Sequence, residues 1–317
     1  MLKGGSMLII EVDNLTKDYG FGRGVFDVSF KIEKGEVFGF LGPNGAGKST
    51  TIRHLMGFSK PQKGETKIFE EESFGNYFKI LKRVGYIPGE IALPAGLTGK
   101  EFLKMMQDLQ GIHNEEQLKK MCEMFQLSDE VLKSDTKRMS LGVKRKLAIV
   151  SAFMSDPDVL VLDEPTSGLD PVMQQVFINF IKEEKERGKT ILLSSHIFSE
   201  VDATCDRISI IKDGRIVSEF VANDLKHNNT KFYKIHFKDN KNFFKFIKEC
   251  SKSKILVIEK TNEKKNFVLI RTEDKNINAV IEMLSNYEIE EFSNVKETLE
   301  DYFMKFYKED RDFKGAL

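Results

Sequence analysis

A glycine-rich loop between a strand pattern and a helix pattern constrains the fold of this chain more than any other feature. Residues 42–50 read GPNGAGKST, in which a glycine is followed after four residues by Gly-Lys-Ser. The apolar run 36–41 before the loop has strand length, and residues 51–57 after it are typical of a helix. Backbone N–H groups of such a loop turn inward around an anion, and the helix dipole adds to the attraction. The context therefore predicts a phosphate-binding loop in an α/β fold.

Two side chains of this loop have specific expected roles. Lys48 is expected to reach the outer phosphates of a nucleotide, and the Ser49 hydroxyl is expected to bind Mg²⁺. The alternative is a glycine-rich turn without a ligand, and Lys-Ser at this spacing makes it the weaker interpretation. The residues predicted to line the phosphates are Gly42, Pro43, Asn44, Gly45, Ala46, Gly47, Lys48, Ser49 and Thr50.

The bulk composition excludes several classes of protein. Lys+Arg and Asp+Glu both number 49, so the chain lacks the basic excess that a strong nucleic-acid binder usually carries. No apolar run approaches the roughly 20 residues of a membrane helix. The three cysteines, Cys122, Cys205 and Cys250, have no paired spacing, which excludes a cysteine-rich zinc site and is typical of a reducing cytosol.

The order of sequence patterns predicts a parallel sheet with a helical insertion. Strands are predicted at 8–12, 26–32, 37–41, 159–162 and 190–193, and the last two are apolar throughout, as in a sheet covered on both faces. Strands at 208–211 and 215–220 flank Asp213-Gly214, which predicts a tight hairpin.

Between residues 98 and 155 the hydrophobic period becomes helical. Thr98 and Glu101 form a capping-box pattern, and Asn114 is placed to cap a second helix. A third helix is predicted at 143–155. The apolar faces predicted for the first two helices are Phe102, Met105, Met106 and Leu109, and then Leu118, Met121, Cys122 and Phe125.

A second domain is predicted after a polar linker at 224–230. The first domain then spans 7–223, and the second spans 231–317. Strand and helix patterns in the second follow the order βαββαβ, which is typical of a ferredoxin-like α+β module. A last helix is predicted at 296–307. Two roles for this module stay open: a small-ligand sensor that gates the first domain, or a packing or dimer contact, which we favour because the segment shows no site chemistry.

Two acids follow the apolar strand 159–162. Catalytic groups lie at the carboxyl ends of strands in open α/β sheets. Asp163 is therefore the candidate metal-side acid, and Glu164, expected to point the other way along the strand, is the candidate base that orients water. His196 follows the strand at 190–193 and can touch a γ-phosphate if the two strands are neighbours. Solvated acids and a surface histidine are the alternatives for each taken alone.

Taken together, these motifs resemble the ATP-binding subunits of the ABC transporter family. The glycine loop, Leu162-Asp163-Glu164-Pro165, Ser167-Gly168-Leu169-Asp170 and His196 occur in the order of that family, over about two thirds of the chain. The resemblance implies a P-loop NTPase with a RecA-like core, an antiparallel β-subdomain, an inserted helical subdomain at 98–155, and ATP with Mg²⁺ as cofactors.

The resemblance also implies roles for individual residues. Tyr19 matches the aromatic residue that stacks on adenine, and its alternative is a simple turn residue. Ser140 and Gly142 align with the signature loop, which would face the γ-phosphate bound by a second copy of the subunit. Asp170 resembles the loop residue that spans this interface, His196 the γ-phosphate sensor, and Glu164 the base.

The chain departs from the family at two places. Leu141 replaces the first glycine of the signature, and Val143 replaces its glutamine. Gly89 occupies the position of the glutamine that contacts Mg²⁺ and the membrane partner, so no side chain can coordinate there. Glu90 or water is the hypothetical substitute. Both departures resemble drug-resistance and ABC-2-type exporters.

The expected function is therefore that of an ATP-hydrolysing subunit, a homodimer or heterodimer on the cytoplasmic face of the cell membrane. It would energise export through a separately encoded transmembrane permease, with no nucleic acid bound. The alternative is a soluble ABC ATPase that acts on nucleic acid or ribosomes. One glycine loop and the absence of sustained heptads make that alternative the weaker one.

Overall fold

A computed structural model describes residues 7–226, 230–250, 253, 255–295, 298–300, 302–304 and 306. The chain divides into two compact units, the first ending at Ala222 and the second beginning at Asn223. Each unit has a hydrophobic core of its own. Among the described residues, no helix has both the length and the apolar composition needed to cross a membrane.

The first unit contains strands and helices, and all seven strands predicted in it are present. Its strands are β1 (Leu8–Asp18), β2 (Gly24–Glu33), β3 (Val37–Leu41), β4 (Lys63–Ile68), β5 (Glu71–Glu72), β6 (Val84–Ile87), β7 (Val159–Asp163), β8 (Thr190–Ser195), β9 (Arg207–Lys212) and β10 (Arg215–Val221). Its helices are α1 (Lys48–Leu55), α2 (Ser73–Ile80), α3 (Gly99–Gln110), α4 (Glu115–Met124), α5 (Asp129–Leu132), α6 (Leu141–Phe153), α7 (Pro171–Glu186) and α8 (Phe198–Thr204), with a short 3-10 helix at Thr136–Arg138. A further helix, α9 (Ala222–Lys226), begins at the last residue of the first unit and otherwise belongs to the second.

A six-stranded sheet of order β10-β9-β3-β8-β7-β6 carries the phosphate loop. Its neighbouring strands are parallel except at the β9–β10 edge. Every residue of β3, β7 and β8 is buried, as expected for strands covered on both faces. Because β7 and β8 are neighbours, the residues that follow them meet at one edge of the sheet.

The hairpin predicted at Asp213-Gly214 is confirmed. Both residues have positive φ, +48° and +74°, as a type I′ turn requires. A separate antiparallel sheet of order β2-β1-β4-β5 lies in the same unit. The predicted RecA-like core and antiparallel β-subdomain are therefore present, together with the helical insertion.

The helical insertion follows its sequence signals at the start of each helix. Both hydrogen bonds of the Thr98–Glu101 capping box are present, and Asn114 caps α4. The prediction was wrong for Leu109, whose side chain is 64% exposed. It shares a face with Phe102, but in the last turn of α3 the buried residue is Gln107, so the covered face of the helix no longer includes Leu109. Helix α6 begins two residues earlier than the predicted 143, because Ser140 caps it.

The second unit has the ferredoxin-like order predicted for it. Its elements are β11 (Thr230–Phe237), α10 (Asn240–Cys250), β12 (Leu256–Asn262), β13 (Phe267–Glu273), α11 (Ile277–Leu284) and β14 (Ile289–Val295), with 3-10 turns at Glu263–Lys265 and Asp274–Asn276. Its sheet order is β12-β13-β11-β14, all antiparallel. Tyr233, Ile235 and Phe237 face a core that includes Phe243 and Phe246 of α10.

Two predictions at the edges of this unit need correction or stay open. The segment 224–230 is not purely a linker, since α9 extends to Lys226 and β11 begins at Thr230. A polar composition does not distinguish a linker from a short helix with an acid, Asp224, in its first turn. Of the helix predicted at 296–307, residues 299, 300, 302–304 and 306 are helical, and the rest lie outside the described residues.

Candidate nucleotide-binding and catalytic site

The phosphate loop is held between β3 and α1 by close backbone packing. Gly47 caps α1 with φ +112°, a conformation that other L-residues rarely adopt, and a Cβ there would lie 2.8 Å from a methyl carbon of Val25. A Cβ on Gly42 would lie 2.5 Å from the carbonyl oxygen of Ile211. Glycine is therefore required at both positions for the loop to reach the start of the helix.

Lys48 is buried beneath this loop and fixes its shape. Its side chain is only 4% exposed, and Nζ donates hydrogen bonds to the carbonyl oxygens of Gly42 at 2.6 Å and Pro43 at 3.1 Å. The same ammonium lies 3.0 Å from Glu164 Oε1. A single cation thus joins the phosphate loop to the acid that follows β7.

Asp163 ends β7 and is held by the neighbouring strand. Its carboxylate is 2% exposed, and Oδ1 accepts a hydrogen bond of 2.5 Å from Ser194 Oγ of β8. The parallel register pairs these two residues directly. The other oxygen, Oδ2, is left to face the loop after β6.

Glu164 does not continue the strand, contrary to the expectation that it points the other way along β7. Its φ is +49°, a left-handed backbone that is uncommon outside glycine and that is concentrated at functional sites. The turn brings Oε1 to Lys48 and brings Oε2 to 2.6 Å from His196 Nδ1. The base candidate, the histidine and the lysine therefore form one connected cluster.

The residues predicted to hold a metal face one another across Gly89. A Cβ on Gly89 would lie 2.8 Å from Asp163 Oδ2 and 3.6 Å from Ser49 Oγ. The missing side chain therefore leaves a cradle bordered by a carboxylate and a hydroxyl oxygen. Hard oxygen donors of this kind suit Mg²⁺, which keeps several water ligands and binds few protein groups. The residues present fit that ion, whereas Glu90, in the described part of the chain, makes no hydrogen bond or ion pair with either oxygen.

The remaining predicted site residues lie away from this cluster. Tyr19 follows β1 with 57% of its surface exposed, and Lys17 Nζ lies 5.7 Å from its ring centre. Ser140 and Asp170 cap α6 and α7, accepting hydrogen bonds from the N–H groups of Val143 and Met173. Within the described part of the chain, neither side chain hydrogen-bonds to the cluster around Lys48.

The start of α6 nevertheless lies against the loop that follows Glu164. A Cβ on Gly142 would approach the Gly168 carbonyl oxygen to 3.0 Å. Ser140 is exposed, as is Leu141 with 56% of its surface accessible. Ser140 and Leu141 therefore form an exposed surface that is accessible to a ligand bound by another molecule.

One buried acid was missed by the sequence analysis. Glu200 in α8 is 1% exposed, and its Oε2 accepts hydrogen bonds from Ser195 Oγ at 2.6 Å and Thr166 Oγ1 at 3.3 Å. Glu200 therefore connects Ser195, the residue before His196, to Thr166, which follows Glu164 by two residues. Burial is the main cause that raises the pKa of Glu200 to about 7, and the charge of Glu164 adds to the effect. Nothing in the local sequence distinguishes it from the exposed acids of other helices.

This pKa predicts a pH-dependent contribution to stability. A carboxyl whose pKa is higher in the folded than in the unfolded chain binds a proton on folding. The contribution of Glu200 is therefore complete below about pH 4.5 and is lost as the pH rises through about 7. In the wild-type chain this loss should lower the free energy of unfolding by about 3 kcal/mol between pH 5 and pH 8. In Glu200→Gln the free energy of unfolding should not show this decrease, because glutamine does not titrate. Urea denaturation of both proteins at the two pH values checks this, and an unchanged decrease in the variant would contradict it.

Comparisons with known proteins extend these observations. A family model described as ABC transporter matches residues 25–167. The chain is 39% identical to a bacitracin transport ATP-binding protein of Bacillus licheniformis, over 73% of this chain and 76% of that protein. It is 32% identical to an uncharacterized ABC transporter ATP-binding protein of Bacillus subtilis, over 94% and 96%.

Solved structures give the same result for the fold. The chain is similar to an ATP-binding subunit of an ABC transporter, with 31% identity, a TM-score of 0.64, and coverage of 69% of this chain and 92% of that one. A dimeric bacterial ABC transporter cassette, 24% identical over 68% of this chain and 99% of that one, has a TM-score of 0.62. The latter likeness concerns the fold alone.

Proposed function

This chain belongs to the ABC transporter family as an ATP-binding subunit, and from that premise we propose how its residues bind and hydrolyse ATP to drive export. The observation that carries the proposal is the connected cluster at the carboxyl edge of the sheet. Lys48, Glu164 and His196 are joined by contacts of 3.0 and 2.6 Å, beside the cradle between Asp163 and Ser49. The relatives favour an exporter over a soluble ATPase that acts on ribosomes, since their names include bacitracin transport and linearmycin resistance.

The phosphate loop binds the nucleotide and Glu164 acts on water. The N–H groups of the loop and the first turn of α1 surround the phosphates, and the Lys48 ammonium neutralises their charge. Glu164 accepts a proton from the attacking water, because a carboxylate oxygen adjacent to the γ-phosphate is placed for general base catalysis. His196 orients Glu164 through Nδ1, and Nε2 is then the ring nitrogen that contacts the γ-phosphate.

Ser49 and Asp163 are the residues that would hold Mg²⁺. When bound there, the ion would supply positive charge that offsets the negative charge of the nucleotide phosphates. Gly89 provides space on that side of the site and no ligand of its own. Tyr19 would stack on the adenine ring, a contact worth about 1–3 kcal/mol.

Two copies would complete each ATP site. ATP-binding subunits of this family dimerise, and Ser140 and Leu141 are exposed at the N-terminus of α6. Ser140, with the partly buried Gly142 beside it, would face the partner's γ-phosphate. A helix N-terminus offers unpaired N–H groups and a partial positive charge to such an anion. Asp170, at the start of α7, would lie at the same interface.

Family members also work with membrane permeases. The permease for this chain would be separately encoded, with the ATP-binding subunits attached to it on the cytoplasmic face of the membrane, where ATP is available. The cargo would then be selected by the permease, and this chain would supply the energy.

Purification from membranes tests the export role. The tagged chain is expressed in its native cells, and detergent-solubilised membranes and a cleared lysate are purified in parallel. We expect a hydrophobic protein to be retained with the tagged chain and ATPase activity to change when the two are reconstituted in vesicles. The same tag on an unrelated soluble protein is the control. Sedimentation with ribosomes, with no membrane protein retained, would overturn the proposal.

A further inference from the structure

Arg145 is the largest side chain buried in the first unit, and its charged group binds only backbone. It lies in the second turn of α6 and is 2% exposed. Its guanidinium donates to three carbonyl oxygens: Nη1 to Pro88 at 2.9 Å, Nη2 to Gly89 at 2.7 Å, and Nε to Ser167 at 3.0 Å. The three acceptors belong to two loops that are 78 residues apart in sequence at their nearest, from 89 to 167.

Both loops border the catalytic cluster. Gly89 lies directly against Asp163 Oδ2 and Ser49 Oγ, the two oxygens of the proposed magnesium side. Ser167 follows Glu164 by three residues, and its N–H donates to the Glu164 carbonyl oxygen at 3.1 Å. Arg145 therefore holds one loop next to the metal-side acid and another next to the base.

The chemistry of arginine explains why this link needs that residue. A guanidinium presents its donors in a rigid planar fork, and the three bonds of Arg145 come from three different nitrogens. The donors of a lysine ammonium all lie on one nitrogen, so lysine does not reproduce this spread of bonds to two separate loops. A buried cation is costly unless it is compensated. Burial lowers the pKa of Arg145, and the nearby charges of Asp163 and Glu164 oppose that change.

Because residue 89 is a glycine, the position of its loop depends more strongly on the hydrogen bond from Arg145 to the Gly89 carbonyl oxygen. A side chain at this position could fix the loop by its own contacts, but Gly89 has none to offer. Its peptide is instead held from behind, through the carbonyl oxygen that Arg145 binds. The position of the loop is thus set by α6, the helix whose N-terminus is exposed at Ser140.

We propose that Arg145 is a positioning residue for ATP hydrolysis, which fixes the loops at 88–89 and 167 around Asp163 and Glu164 and links both loops to helix α6. The kinetic part of this inference rests on the proposed function. Because one side chain joins α6 to both loops, a movement of α6 at the dimer interface would displace the two loops together.

The first test concerns the loops and needs no activity. Hydrogen–deuterium exchange is compared for the wild-type chain, Arg145→Lys and Lys146→Met. The last variant is the matched control, because it removes a charge from the next, partly exposed position of α6. Arg145→Lys should raise exchange in peptides covering both 84–91 and 164–169 by about tenfold, since the carbonyl groups of both loops lose the side-chain hydrogen bonds that restrain them and the loops open more often. The proposal would be overturned if exchange became faster in neither loop, or if it became faster to the same extent throughout the first unit.

The second test concerns hydrolysis. Misplacing reacting groups by about 1 Å lowers turnover by about 10²-fold. We expect Arg145→Lys to lower kcat by about that factor and to raise the Mg²⁺ concentration for half-maximal activity, while ATP affinity measured in EDTA changes by less than about threefold.

Two outcomes of the second test would contradict the proposal. One is a kcat and Mg²⁺ requirement equal to those of Lys146→Met. The other is that Arg145→Lys and Arg145→Met both lose ATP affinity, kcat and thermal stability to the same extent. That result would mean that Arg145 is needed for folding and not for positioning the loops. A wild-type chain without ATPase activity would instead refute the proposed function, while the exchange result would still stand for or against the positioning role.

Discussion

Glu164→Gln should lower the rate of ATP hydrolysis by about 10³-fold and leave ATP binding nearly unchanged. The amide keeps the size of the carboxylate and can still contact Lys48 and His196, but it cannot accept a proton from water. General base catalysis contributes about 10²–10⁴-fold to the rate of an enzymatic reaction. Single-turnover release of phosphate measures the effect, and binding of a fluorescent ATP analogue reports the affinity.

The matched control for this variant is Glu183→Gln, which makes the same change at an exposed position of α7. It should retain the wild-type rate. Because hydrolysis would be blocked after ATP binding, Glu164→Gln should also accumulate as an ATP-bound dimer, seen as a doubled mass by light scattering. A variant that keeps more than about a tenth of the wild-type rate would remove Glu164 from the role of base.

Ser140→Asp should abolish hydrolysis although it changes nothing in the phosphate loop. Aspartate is as good an N-cap as serine, so α6 should keep its stability. The added carboxylate would, however, face the γ-phosphate held by the partner subunit, where the serine hydroxyl would donate a hydrogen bond. Loss of one such donor costs about 10²–10³-fold in kcat, and charge repulsion adds to that loss.

Ser128→Asp is the control for this second variant. Ser128 caps α5 by a 3.3 Å hydrogen bond from Val131 N, the same length as the bond from Val143 N to Ser140. We expect Ser128→Asp to hydrolyse ATP at the wild-type rate, and both variants to bind ATP as monomers with unchanged affinity. Normal hydrolysis by Ser140→Asp would exclude the start of α6 from the ATP site.

The parts of the site that could be predicted from the sequence depend on short stretches of chain. The phosphate loop is defined by its glycines and Lys48 within nine residues, and Asp163 by its place after an apolar strand. The conformation of Glu164 was not predictable, because its positive φ follows from the turn that leads to Thr166 and not from its own residue type. Alternation along a strand therefore gave the wrong direction for this side chain.

Residues whose roles depend on distant packing were not found from the sequence. Arg145 and Glu200 are ordinary charged residues in helical patterns, and their importance depends on which loops lie opposite them. Strand β4 was missed because its sequence KGETKI is mostly polar and its burial is confined to one end. Leu109 was placed in the core because periodicity defines a face of a helix but not how far that face is covered.

The central claim is that each ATP site is built from two copies of the chain, and mixing two inactive variants tests it most directly. In a heterodimer of Glu164→Gln and Ser140→Asp, one site combines an intact Glu164 with an intact Ser140. Random pairing would make half of the dimers heterodimers, each with one such site of two. Activity of up to about a quarter of the wild-type rate should therefore return, and less where Glu164→Gln subunits are held in their own ATP-bound dimers. A mixture that stays as inactive as its components would contradict the claim.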